Sequence, residues 1–332
     1  MVEPVVGIFE LIGGYSEPLR WLFVALFVGG ALLELRDRDT ARPVVVAAWV
    51  VFGAYWLALV PYFVVEQRSV IEGLGSILAV PLSLYVGYVL ARGRDSLFVL
   101  SRAVALMGLV YTPVVALDAV RRPLIETVTV HTELLMNLVG FHPEVADGLY
   151  IQSRSGETLR IAEKTYPYES TFAFYNGDIP ITYNIAIACT GIGSMAIFVG
   201  LIGAVSAPLR RKLRALAVSI PVIYGLNLVR NVFIGVTFGN QLTHFFPDVV
   251  MTLFALEDEY MVSYIVSDRI LAQSASVVAL VGITWLVVRE LPEVLTIVED
   301  ILYLATGREY DLATAFDVPD PETARGDPNP GD

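Results

Sequence analysis

IAIACTGIGSMAIFVGLIGAV, residues 185–205, is apolar or small at every position apart from Thr190 and Ser194 and carries no charge. A run of this length is what crossing the hydrocarbon core of a bilayer by a helix requires. It reads as a membrane span. Near its start lies Cys189, the only cysteine in 332 residues. A lone thiol cannot form an intrachain disulfide or a thiolate metal cluster. It is therefore either an inert buried hydrophobe or a reactive nucleophile.

Working outward, the same pattern recurs. Hydrophobic residues make up 55% of the chain and charged residues 17%, with a mean hydropathy of +0.64, values that exclude an ordinary soluble domain. Further spans are expected over Leu19–Leu35, Pro43–Val65, Val70–Ala91, Leu97–Leu117, Ala215–Phe238 and Met261–Val288. Residues 123–141, with Glu126, His131 and Glu133, would be costly in lipid and read as an interfacial helix. The stretch before Leu19 is too short to span and lacks the basic start of a signal peptide. The fold class is an all-α polytopic membrane protein, a bundle of about seven or eight transmembrane helices.

Charge patterning orients the bundle. Arg36, Arg38 and Arg42 follow the first span, Arg92 and Arg94 the third, and Arg210, Arg211, Lys212 and Arg214 the fifth. Basic loops stay in the cytoplasm, so seven spans put the N-terminus outside and the C-terminal tail inside. The segment 118–184 then lies outside. Its alternating residues and turn signals, RSGE and YNGD, predict short strands in a small extracytoplasmic cap. Four regions follow: N-terminal transmembrane helices over 1–117, interfacial helix and cap over 118–184, the transmembrane helices that begin with the cysteine-bearing run over 185–289, and an acidic cytoplasmic tail over 290–332 whose end reads as disordered. The tail's acids read as solvation rather than a docking surface. The net charge of −12, with Lys164 and Lys212 as the only lysines among 22 basic residues, suggests a halophile.

The two expected spans that follow the cysteine each carry an arginine, which must face a partner or a wet cavity. Arg230 shares a helical sector with Asn227, and Asn231 follows it; Tyr224 lies further back. Arg269 has Asp268 beside it and Gln273 and Ser276 at helical spacing. In the expected topology Cys189 lies about 6 Å below the outer boundary at helical rise, and both arginines fall in the same layer. Each arginine reads either as a packing contact with acids or lipid phosphates, or as part of a site. Guanidinium groups beside a thiol stabilise the thiolate, and a second one can donate to the oxyanion of a tetrahedral intermediate. Gly191 and Gly193 would allow a substrate backbone or a neighbouring helix to approach closely.

The segments Ala188-Cys189-Thr190-Gly191-Ile192, Asn227-Leu228-Val229-Arg230-Asn231 and Asp268-Arg269 resemble the exosortase/archaeosortase family, polytopic membrane cysteine transpeptidases. The resemblance covers most of residues 70–290. It implies that Cys189, Arg230 and Arg269 are catalytic, with Asn227, Asn231, Asp268, Gln273 and Gly191 in support. It further implies that Cys189 attacks the C-terminal sorting signal of a secreted surface protein, such as an S-layer glycoprotein. That signal has a PGF-type motif, an apolar helix and a basic tail. The product would be transferred from a thioacyl enzyme to a membrane lipid. Exosortases usually carry histidine where this chain has Arg269, and His131, His142 and His244 all lie elsewhere in the chain.

No cofactor, metal or nucleic-acid partner is expected. A transporter or channel for an anionic solute would also use intramembrane arginines, although no internal repeat supports it. A retinal protein needs a lysine for its Schiff base, and no span contains one.

Overall fold

The computed structural model describes residues 14–66, 70–162 and 164–315. The expected disordered end of the tail, from residue 316, lies outside the described residues, as does most of the stretch before Leu19.

In chain order the helices begin with α1 (Ser16–Glu34), α2 (Arg38–Pro61, extended by a π-turn Tyr62–Glu66), α3 (Val70–Ala91), α4 (Leu97–Ala116) and α5 (Asp118–Leu138). Five short strands follow: β1 (Glu144–Ala146), β2 (Tyr150–Gln152), β3 (Thr158–Arg160), β4 (Thr171–Phe174) and β5 (Ile181–Asn184). A 3₁₀ turn, Ile187–Thr190, leads into α6 (Ile192–Ala204), then α7 (Leu209–Gly239) and α8 (Pro247–Phe254). Next come α9 (Met261–Tyr264), a π-helical stretch Ile265–Ala272 and α10 (Gln273–Glu290), which together make one continuous rod. After a short 3₁₀ turn, α11 (Leu295–Thr306) and α12 (Leu312–Ala315) complete the described chain. Among the described residues six helices are long and apolar enough to cross a membrane: α1, α2, α3, α4, α7 and the rod from Met261 to Glu290.

The stretch 185–205 departs from the single span its composition suggests. The chain turns at Ile187–Thr190, passes through Gly191 at φ +75°, and only then forms the 13-residue α6. At 1.5 Å per residue α6 covers about 20 Å, short of a roughly 30 Å hydrocarbon core. The cause is local. A left-handed residue ends a helical turn, and glycine adopts that conformation without a Cβ clash. Cys189 therefore sits in a turn, where helical rise does not set its depth.

The chain divides into two compact units. The first comprises residues 1–112, 196–218 and 285–332. Its core is an aromatic cluster: Phe23 and Phe27 on α1 meet Trp49 and Phe52 on α2 edge to face, and the Trp49 indole donates to Ser101 Oγ at 2.9 Å. In α6, a Cβ on Gly200 would lie 2.5 Å from the Ala103 carbonyl oxygen, so only glycine lets the α6 and α4 backbones touch. Arginines from the basic loops meet acids of the tail. Arg94 binds Asp300 (2.9 Å) and Glu309 (2.7 Å), and Arg211 grips both Glu293 oxygens (2.8 and 3.0 Å). Several tail acids are thus ion-paired rather than merely solvated.

The second unit comprises residues 113–195 and 219–284. Helix α5 forms where an interfacial helix is expected, and it buries Ile125, Val128, Thr129, Thr132 and Met136 along one face. The predicted strands form two antiparallel sheets, β1-β4-β5 and the hairpin β2-β3. In the first, Ala173 pairs with both Glu144 and Thr182, while Phe172 faces Tyr183. The sheet anchors the end of α7. The Phe174 ring lies where a Cβ on Gly239 would be, and Asn176 Nδ2 donates to the Gly239 carbonyl at 2.8 Å. A half-buried Arg121–Asp118–Tyr168 network ties the start of α5 to the cap.

Candidate active site

All residues singled out by the sequence lie in the second unit. The 3₁₀ turn holding Cys189 closes through the Cys189 N–H, which donates to the Ala186 carbonyl at 2.9 Å. The Cys189 carbonyl accepts from Asn227 Nδ2 (2.6 Å) and Asn231 Nδ2 (2.8 Å). These asparagines stand four residues apart on α7, so one helix face presents both amides to one oxygen. Two donors fill both lone pairs of that carbonyl, which pins the turn. Gly191 completes the fit. Besides its positive φ, a Cβ there would lie 3.1–3.2 Å from Asn227 side-chain carbons, so a larger residue would push the Asn227 amide off its acceptor.

Arg230 is one residue before Asn231, near the same face of α7. Its Nη2 pairs with Asp268 Oδ1 at 2.5 Å. The other Asp268 oxygen lies 3.6 Å from Arg269 Nε. One nearly buried carboxylate thus serves both guanidinium groups. The pair Asp268-Arg269 falls inside the π-helical stretch Ile265–Ala272. Such wide turns are uncommon and cluster at functional sites. Gln273 contributes its backbone N–H, which donates to the Asp268 carbonyl and so helps close the π turn.

The histidines are engaged elsewhere. His131 Nδ1 meets Tyr224 OH at 2.6 Å, His142 Nδ1 meets Asn137 Oδ1 at 2.9 Å, and His244 Nε2 meets Glu259 Oε1 at 3.3 Å. Tyr224, although on α7, therefore points to α5 and not to the cysteine. One residue that sequence reasoning passes over does reach it: Tyr183 of β5, whose hydroxyl lies 3.3 Å from Asn231 Oδ1 and 4.0 Å from Cys189 Sγ. The strand pattern of ITYNI was legible, yet nothing in it says that the inward tyrosine meets a cysteine six residues on. No group of three metal-ligating side chains occurs among the described residues.

The Cys189 turn is thus held by a transmembrane helix whose Arg230 shares the Asp268 carboxylate with Arg269. A family model described as transmembrane exosortase matches residues 16–257. The chain belongs to that family of multi-pass membrane proteins, as a cysteine transpeptidase-type enzyme. It is 46% identical to Archaeosortase A of Haloferax volcanii, an alignment covering 90% of this chain and 97% of the relative. It is 38% identical to Archaeosortase A of Natronomonas pharaonis, covering 96% of each. No solved structure matches the chain.

Proposed function

We propose that the chain processes the C-terminal sorting signals of secreted surface proteins, with Cys189 as nucleophile, Arg230 as its electrostatic partner and Arg269 as the contact for the oxyanion or a substrate carboxyl. The observation that carries this reading is the double clamp on the Cys189 carbonyl by Asn227 and Asn231, from the helix that also bears Arg230. A cysteine that merely filled space would need no such fixing. In the proposed reaction the Cys189 thiolate adds to a peptide carbonyl of a PGF-type signal. The tetrahedral oxyanion is met by guanidinium N–H groups. Collapse breaks the C–N bond and leaves a thioacyl enzyme, and the amine takes up the proton Cys189 lost on ionising and departs with the apolar helix and basic tail. A nucleophile on a membrane lipid then takes the acyl group, and its proton returns to the freed sulfur. S-layer glycoproteins fit the substrate class, and the basic residues after the first and third spans, which stay in the cytoplasm, favour the extracytoplasmic face for the cap and the reaction.

An arginine-lined route for an anionic solute is less well supported. Such a route would leave the Cys189 turn, clamped by two amides, without a role. The deciding experiment replaces Cys189 with Ala in the native host and follows a secreted protein bearing a C-terminal apolar helix. Loss of processing is expected; full processing in the mutant would sink the proposal. A membrane-impermeant maleimide should label Cys189 from outside, and labelling from the cytoplasm alone would reverse the topology.

A further inference from the structure

Tyr183 reaches the reacting sulfur from outside the helical part of the site. It sits on β5 with its side chain buried at 5% exposure, and its ring packs beside Gly235 of α7, where a Cβ would lie 3.0 Å from the ring edge. Its hydroxyl faces two acceptors: Asn231 Oδ1 at 3.3 Å and Cys189 Sγ at 4.0 Å. The amide nitrogen of the same Asn231 donates to the Cys189 carbonyl. A ring of contacts therefore runs from the sulfur through the phenol and the Asn231 amide back to the carbonyl of the same cysteine. On its far side the sulfur faces the Asn184 carbonyl at 4.0 Å, an acceptor only for a protonated thiol.

We propose that Tyr183 is a positioning residue that donates its single O–H to the Cys189 thiolate, and that this proton swings from Asn231 Oδ1 to Sγ when the thiol ionises. In the resting state the S–H points to the Asn184 carbonyl and the phenol donates to Asn231. Loss of the thiol proton removes the first contact and makes the sulfur the stronger acceptor, because hydrogen bonds to a charged partner exceed neutral ones. Rotation about the phenolic C–O bond is the only movement required. Burial pushes the Tyr183 phenol well above its ordinary range, so it keeps its proton throughout neutral pH and serves as donor, not base. With histidine missing from the motif position, a strand of the cap thereby supplies part of what holds the nucleophile ionised.

This inference rests on Cys189 being the nucleophile, but its test needs no substrate. Because Cys189 is the only cysteine, alkylation of the purified full chain by N-ethylmaleimide reads one thiol. In Tyr183→Phe the alkylation rate at neutral pH should fall about tenfold and its pH midpoint rise by about one unit, the equivalent of one charge-assisted hydrogen bond. An unchanged pH profile in a protein that elutes as wild type would overturn the proposal. Should Tyr183→Phe fail to fold, 3-fluorotyrosine placed at position 183 decides the matter. It keeps the shape and hydroxyl but is the stronger donor, so the midpoint should move down, and an unmoved midpoint overturns the proposal. Failure of sorting-signal processing to depend on Cys189 would instead remove the proposed function and leave the thiol's titration intact.

Discussion

At the scale of single residues the site depends on a few contacts with calculable consequences. Asn227→Ala removes one of two donors to the Cys189 carbonyl and should cost about 1 kcal/mol of stability, with a larger loss of processing because the turn is freed. Comparing thermal midpoint and processing rate in the same protein tests that difference. Gly191→Ala places a Cβ at φ +75° and against Asn227; the left-handed conformation alone costs about 1–2 kcal/mol. That variant should lose processing more than Gly193→Ala, since Gly193 has open space around it. Asp268→Asn keeps the shape and removes the charge between Arg230 and Arg269. Displacement of either guanidinium by about 1 Å is enough for a roughly 10²-fold fall in rate, to be measured as the rate of precursor processing at matched protein levels. In the cap, Lys164 is buried with its ammonium on the Tyr168 carbonyl at 2.7 Å, and burial lowers its pKa to about 8. The unfolded chain holds that proton up to the ordinary lysine range while the folded one releases it, so stability should rise with pH from about 8 towards 10.5. Thermal melts over that window should lose the rise in Lys164→Met.

At the scale of elements, two irregular pieces of helix matter more than the regular ones. The 3₁₀ turn Ile187–Thr190 lifts Cys189 out of a span, and the π-helical stretch Ile265–Ala272 sets Asp268 and Arg269. Deleting Ile270 or Leu271, which are exposed in that stretch, would remove the extra residue of the wide turn, favour an α-helix and so undo the local setting of Asp268 and Arg269. Processing should be abolished while the protein still inserts and elutes normally; retained activity would show that the wide turn is dispensable. Neither irregularity is visible in hydropathy. Apolar residues at 185–205 read alike as a span or as a turn followed by a short helix, because periodicity reports which residues avoid water and not where the ladder of hydrogen bonds breaks. Gly191 was the one legible signal, and a single glycine in an apolar run marks packing as readily as a break.

At the scale of the molecule, the two units have different tasks. The second contains the whole cysteine–arginine cluster and the cap. In the first, the acidic segment after α10 is fastened to arginines of the basic loops through Glu293, Asp300 and Glu309. Truncation after Leu291 would leave Arg94 and Arg211 without these acids. The thermal midpoint should fall, and fall more at low salt, where paired charges count most.

Composition and patterning suffice to read a polytopic helical membrane protein with a small strand-bearing cap, because both are local properties, and the family-like segments around Cys189, Arg230 and Asp268-Arg269 mark those residues as candidates. Tertiary structure decided the rest. It made Asn227 and Asn231 a clamp, gave one carboxylate to two arginines, and brought Tyr183 to the sulfur. Those are contacts between residues up to 42 positions apart, and which donor meets which acceptor is set only when helices and sheet pack together.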